Sequence, residues 1–143
     1  MTTATWRPHW PRIIPYALAA VVVVGMVVLA VAMPSNWGLG DRIGFVVIGL
    51  IVGGILHMLA RSRVIADDRG LTLVNALRTH EYEWAEVLGV TMAEGAPWPT
   101  IDLADGSVVA AMGIQASDGD RAHRAVAELA AMVHTRGEAT EAT

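Results

Sequence analysis

The chain has 143 residues, 54% of them hydrophobic, with ten basic and fourteen acidic residues, a net charge of −4 and no cysteine. It is too apolar for an ordinary soluble domain and too short for a transporter of many helices. Without cysteine there is no disulfide framework, thiolate metal site or cysteine nucleophile.

Charge is unevenly placed. All ten basic residues are arginine, and residues 64–143 hold five of them against thirteen acids, a net of −8. That balance argues against nucleic acid, which needs a basic footprint. It also argues against specific binding of anionic lipid head groups, which uses basic clusters.

Residues 1–12 combine Trp6, Trp10, Arg7 and Arg12, the makeup of a membrane–water boundary, and are read as an interfacial tail. Two runs without Asp, Glu, Lys or Arg follow, Ile13–Met33 and Ile43–Ala60. At ~1.5 Å per residue they make about 31 and 27 Å of helix, close to the ~30 Å hydrocarbon core of a bilayer. Backbone in lipid must satisfy itself, so both runs are expected to be helical. Residues 13–63 therefore read as a two-helix transmembrane hairpin, whose partner is the lipid bilayer itself. Ala30-Val31-Ala32 has the form of a signal-peptide cleavage site, but the apolar run exceeds the roughly 7–15 residues of a signal core.

The joining loop, Pro34 to Arg42, holds one arginine; Arg7 and Arg12 precede the hairpin, and Arg61, Arg63 and Arg69 follow it. The positive-inside rule then predicts a multi-pass protein of the inner (plasma) membrane with both termini cytoplasmic. Gly49-x-x-x-Gly53 puts two glycines on one face of the second helix, where another backbone can approach. Packing against the first helix is the simpler reading, and contact with a partner protein the other. His57 is the only group within either run that titrates near neutral pH. It is a functional suspect by position, but near the boundary an imidazole can also reach water.

From Val64 the apolar period changes to two. Strands are expected at Val64–Ala66, Leu71–Leu77, His80–Trp84, Leu88–Met92, Thr100–Ala104 and Ser107–Met112. Asp67-Asp68-Arg69-Gly70 reads as a turn with Gly70 at positive φ. Asp105-Gly106 reads as a two-residue turn that sets Leu103 against Val108. Arg121–Arg136 has helical spacing, with Ser117–Asp120 as its N-cap region and Gly137 as its stop. Residues 137–143 read as a disordered tail.

The wording of this stretch also matters. Val64-Ile-Ala-Asp-Asp-Arg-Gly-Leu-Thr-Leu, Tyr82-Glu-Trp-Ala-Glu-Val87, Gly95-Ala-Pro-Trp98 and Leu103-Ala-Asp-Gly106 resemble the membrane-anchored bacterial PH-domain family of actinobacteria. That family includes proteins of the low molecular weight protein antigen 6 type. The resemblance covers residues 13 to about 135 and implies two membrane spans ahead of the domain. The implied class is an α+β membrane protein: a transmembrane hairpin, then a PH-like antiparallel barrel or sheet at 64–136 with a C-terminal helix. Only six strands are visible, whereas a PH-like barrel has a seventh. PH domains that bind phosphoinositides do so with basic residues around the first hairpin, where this chain has Asp67, Asp68 and only Arg69.

No catalytic or metal-binding constellation is legible, and no cofactor is expected. His80-Glu-Tyr-Glu-Trp84 lacks the second histidine of a zinc-protease signature. Asp102 and Asp105 are explained as an outward residue and a turn former. Trp98, between two prolines, and Trp84 are the candidate contacts for a protein partner, with Gly49 and Gly53 beside them. The expectation is a non-enzymatic accessory or scaffold protein that binds other membrane proteins.

Overall fold

The computed structural model describes the backbone of residues 3–141 and the side chains of residues 3–137. The chain forms two compact units: Arg12–Ala60, and a second that joins Met1–Pro11 to Arg61–Thr143.

The first unit is a hairpin of α1 (Trp10–Ala32) and α2 (Leu39–Ala60). Both helices are long and apolar enough to cross a membrane. Val21, Val31 and Ile51 are among the many apolar side chains that face outward from the unit. Only an apolar surrounding makes that arrangement favourable.

Each helix starts earlier than its charge-free run, since Arg12 lies inside α1, and Asp41 and Arg42 lie inside α2. Asp41 caps the start of α2 by accepting the Gly38 N–H at 3.0 Å. Arg42 reaches back to the end of α1 and donates to the carbonyls of Ala30 at 2.6 Å and Met33 at 2.8 Å. A guanidinium there satisfies carbonyls that a helix end leaves unpaired.

The second unit contains seven strands among the described residues: β1 (Ala4–Trp6), β2 (Arg63–Ala66), β3 (Gly70–Val74), β4 (Thr79–Glu83), β5 (Val87–Thr91), β6 (Thr100–Leu103) and β7 (Val108–Ala110). A four-stranded sheet has the order β1-β2-β3-β4, and a three-stranded sheet the order β5-β6-β7. All pairings are antiparallel. The long helix α3 (Asp120–Glu141) follows and packs on β5.

The seventh strand is β1. It precedes the hairpin in sequence, and Trp6 pairs with Val64. Residues 1–12 are therefore not a simple interfacial tail: Ala4–Trp6 is an edge strand, and helix begins at Trp10. Pro8 is buried.

One core unites the strands and α3. Val64, Leu71, Leu73, Trp84, Ile101, Ala122, Leu129 and Val133 form its buried cluster, with Trp6 and Tyr82 packed against it. Asn75 links the two sheets from the end of β3: its side-chain amide donates to the Ala110 carbonyl at 2.8 Å, and its carbonyl accepts the Met112 N–H at 3.2 Å. A buried amide satisfied on both sides orients its neighbours as well as stabilising them.

Four local expectations are corrected. Leu77 lies beyond β3 and is exposed. Gly70 has no positive φ; a Cβ there would overlap the Tyr82 carbonyl oxygen, so the residue is small because strands meet closely. Asp105-Gly106 belongs to a three-residue connection, Ala104–Gly106, with Gly106 at φ +85°. Leu103 donates to the Ser107 carbonyl and Asp102 pairs with Val108, one residue out of the expected register, which leaves Val108 exposed. Finally, α3 does not stop at Gly137 but runs to Glu141. Of the expected tail, Ala142 and Thr143 lie outside the described residues.

Candidate functional site

The four candidate contact residues fall in different surroundings. Trp84 is 6% exposed and its indole N–H donates to the Asp67 carbonyl at 2.9 Å. It fastens the β2–β3 turn to the core and is not available to a partner. Gly49 and Gly53 face α1: an added Cβ would lie 3.0 Å from Met26 Cβ and 3.1 Å from Val23 Cγ2, respectively. Those glycines serve contact within the hairpin. Trp98 is half-buried in its Pro-flanked loop. Of the two tryptophans, it is the one left partly exposed.

His57 is not isolated. Its Nδ1 lies 2.8 Å from the Tyr16 hydroxyl, and the two rings tilt against each other at 5.7 Å. The pair satisfies a polar group that hydrocarbon would leave wanting.

Among the described residues, the second unit has at least two clefts. One, of about 400 Å³, lies at the β2–β3 hairpin and is lined by Asp67, Glu81, Glu83 and Glu86, with Arg69 and Tyr82. The Arg69 and Gly70 N–H groups donate to Asp67 and hold its carboxyl below the usual carboxylate range. Burial, then the charges of Asp105 and Glu86, push the Tyr82 hydroxyl up. The walls are predominantly acidic.

The other cleft, of about 330 Å³, lies between β1 and the start of α3. Trp6, Arg7, Gln115, Arg121 and Arg124 line it, together with Asp118 and Glu128. Its acids are engaged. Asp118 accepts the N–H groups of His9 at 3.0 Å and Trp10 at 3.2 Å, and Glu128 accepts the Trp6 indole N–H at 3.0 Å. Asp118, within the Ser117–Asp120 region read as the N-cap of α3, holds the His9 and Trp10 N–H groups instead. Nothing in a linear reading brings Arg7 beside Arg121. Only the β1–β2 pairing does.

Residues 61–131 match the family model described as Bacterial PH domain. The uncharacterized protein Rv1417 of Mycobacterium tuberculosis (strain H37Rv) and the uncharacterized protein Mb1452 of Mycobacterium bovis are similar along most of the chain. Each is 35% identical over 121 residues, 81% of this chain and 79% of its own length. The chain belongs to the bacterial PH domain family. No solved structure matches it significantly.

Within that family frame, this PH domain is built partly from residues ahead of its hairpin. The matched stretch starts at residue 61, yet the first sheet includes β1 at Ala4–Trp6. The cleft at its first hairpin is acidic, in keeping with the composition of the Asp67–Gly70 turn.

Proposed function

We propose that this protein is a non-enzymatic integral membrane protein whose PH domain binds other proteins at the cytoplasmic face, as an accessory or scaffold subunit of a larger membrane assembly. The observation that carries this reading is the β1–β2 pairing. The chain leaves the sheet after Trp6 and rejoins it at Arg63, with Trp6 opposite Val64. If α1 and α2 span, the two crossings return the chain to the side it left, so the whole domain assembles on one face. The arginines favour the cytoplasm: Arg7, Arg12, Arg61 and Arg63 flank the hairpin, while Arg42 in its distal part is occupied by α1 carbonyls. Only Arg61 and Ser62 separate α2 from β2, so the domain has a short tether and a high effective concentration near membrane partners.

The test is affinity purification of the full chain in mild detergent at native expression, with Trp98→Ala in parallel. The expected result is a membrane partner recovered by the parent and lost by the variant. Recovery of the protein alone at several expression levels would sink the reading. A reporter fused after Thr143 tests orientation, and a signal only outside the cytoplasm reverses it.

The Tyr16–His57 hydrogen bond favours a second reading, a small oligomeric element that handles protons. It predicts that His57→Ala abolishes a proton-linked flux in vesicles; an unchanged flux leaves the pair as packing.

A further inference from the structure

We propose that the free edge of β4 is a docking site for an extended basic segment of another membrane protein, added to the sheet as an extra strand. This rests on the protein-binding reading above and names the partner's chemistry. Among the described residues, β4 is the outer strand of the order β1-β2-β3-β4 and pairs only with β3. An outer strand offers a row of backbone N–H and C=O groups to a chain laid beside it. Its pattern alternates: Thr79, Glu81 and Glu83 are exposed, while His80 and Tyr82 are half-buried. At ~3.4 Å per residue, its five residues make about 17 Å of edge.

Charge chooses the occupant. Glu81 and Glu83 lie across from Thr72 and Gly70, so β3 offers them no counter-charge. Among the described residues Glu81 makes no hydrogen bond or ion pair. With Asp67 and Glu86, the two glutamates line the cleft of about 400 Å³, whose lining holds a single cation, Arg69. Two β4 strands side by side would set glutamate against glutamate, so the edge resists pairing with its own copies. A strand with lysine or arginine at alternate positions meets no such barrier. Its cations fall on the face of Glu81 and Glu83, and opposite charges across a strand pair attract. Its intervening side chains fall on the face of His80 and Tyr82, whose rings stack 6.1 Å apart and 7° from parallel. Apolar residues suit that face, so the recognised pattern is basic at every second position.

Other membrane proteins supply such segments at the cytoplasmic face. Their cytoplasmic loops carry an excess of lysine and arginine within about 15–20 residues of each span. Only Arg61 and Ser62 separate β2 from a candidate span, so the domain cannot leave their neighbourhood. The net charge of −8 over residues 64–143 attracts basic chains toward it.

The experiment titrates the full chain in mild detergent, by calorimetry, with three synthetic decapeptides. One alternates lysine and valine, one alternates glutamate and valine, and one is the lysine–valine peptide N-methylated along its backbone. The expected result is saturable one-to-one binding of the lysine–valine peptide, weakened at least tenfold by E81Q/E83Q, tightened by R69Q and unchanged by E94Q. All four side chains are exposed, so folding should survive, and a gain in R69Q cannot come from damage to the fold. Loss of binding on N-methylation, at unchanged charge, supports pairing with the backbone edge. Equal binding of the N-methylated or the glutamate peptide overturns the proposal, as does binding that E81Q/E83Q leaves intact or that does not saturate. A dimer of the peptide-free chain that E81Q/E83Q dissolves overturns it in favour of a second copy as the occupant. In the affinity purification above, a partner retained by E81Q/E83Q but lost by Trp98→Ala overturns this site and leaves the protein-binding reading intact. Recovery of the protein alone sinks that reading, whatever the peptides show.

Discussion

Trp6 lies directly opposite Val64 in antiparallel register, although the entire apolar hairpin separates them in sequence. The strand ahead of the hairpin is thus a structural part of the domain behind it. Trp6 packs on the core and is tied to α3 through Glu128. Full truncation of a buried Trp costs about 3–5 kcal/mol, and Trp6 is only half-buried, so Trp6→Ala should cost roughly 2–3 kcal/mol. Thermal unfolding of the domain, followed by near-UV circular dichroism, checks this. An unchanged melting temperature would mean that β1 is not part of the folded domain. The same pairing predicts an uncut chain: cleavage after Ala32 would remove β1, so the intact mass should include residues 3–32.

Much of the architecture is legible in the residues, because periodicity reports burial. Val64 and Ala66 alternate inward, and Ala122, Leu129 and Val133 recur at helical spacing; both patterns are core faces in the fold. What escapes is set by distance or by one residue of geometry. A three-residue strand carries too little pattern to be seen, and its partner lies beyond the hairpin. Asp105 lacks the positive φ that a two-residue type I′ turn needs, so the connection takes three residues and Val108 shifts outward. Asn75 falls inside the strand expected at Leu71–Leu77, and no local pattern shows that its amide bridges two sheets. The arginine-lined cleft needs β1 placed before Arg7 can meet Arg121 and Arg124.

Close approach of the two apolar helices rests on Gly49. An added Cβ would come within 3.0 Å of Met26 Cβ, tighter than side chains normally meet. Gly49→Leu should therefore push α1 and α2 apart and cost about 1–3 kcal/mol, as overpacking does. The chain has no cysteine, so a pair introduced at Val23 and Gly53, where an added Cβ would lie 3.1 Å from Val23 Cγ2, gives a clean crosslinking readout. Crosslinking should fall sharply in Gly49→Leu; equal yields would show that the glycine is not at the contact.

Gly70→Ala tests the other kind of glycine. The new methyl would collide with the Tyr82 carbonyl, a backbone atom that cannot swing aside. The β3–β4 register there would have to shift, exposing Leu71 and Leu73 from the core. A loss above about 2 kcal/mol is expected in denaturant unfolding. Gly95→Ala is a poor control because Gly95 has positive φ, whereas Gly137→Ala, with open space around it, should be stabilising or neutral.

Acid should loosen the two turns that carboxylates hold. Asp67 accepts the Arg69 and Gly70 N–H groups, and Asp105 accepts the Ser107 hydroxyl at 2.6 Å and its N–H at 2.8 Å. These bonds favour the charged form, so both carboxyls titrate below the usual carboxylate range in the folded chain. The unfolded chain then binds more protons wherever these groups titrate. Their stabilisation is fully present above the ordinary aspartate value of about 3.9 and is lost as pH falls through the lower folded values. Asp67→Asn and Asp105→Asn should each lower stability at neutral pH and reduce its decline in acid. Denaturant midpoints measured between neutral pH and strong acid check this; parallel curves for parent and variants would mean that these carboxylates do not contribute.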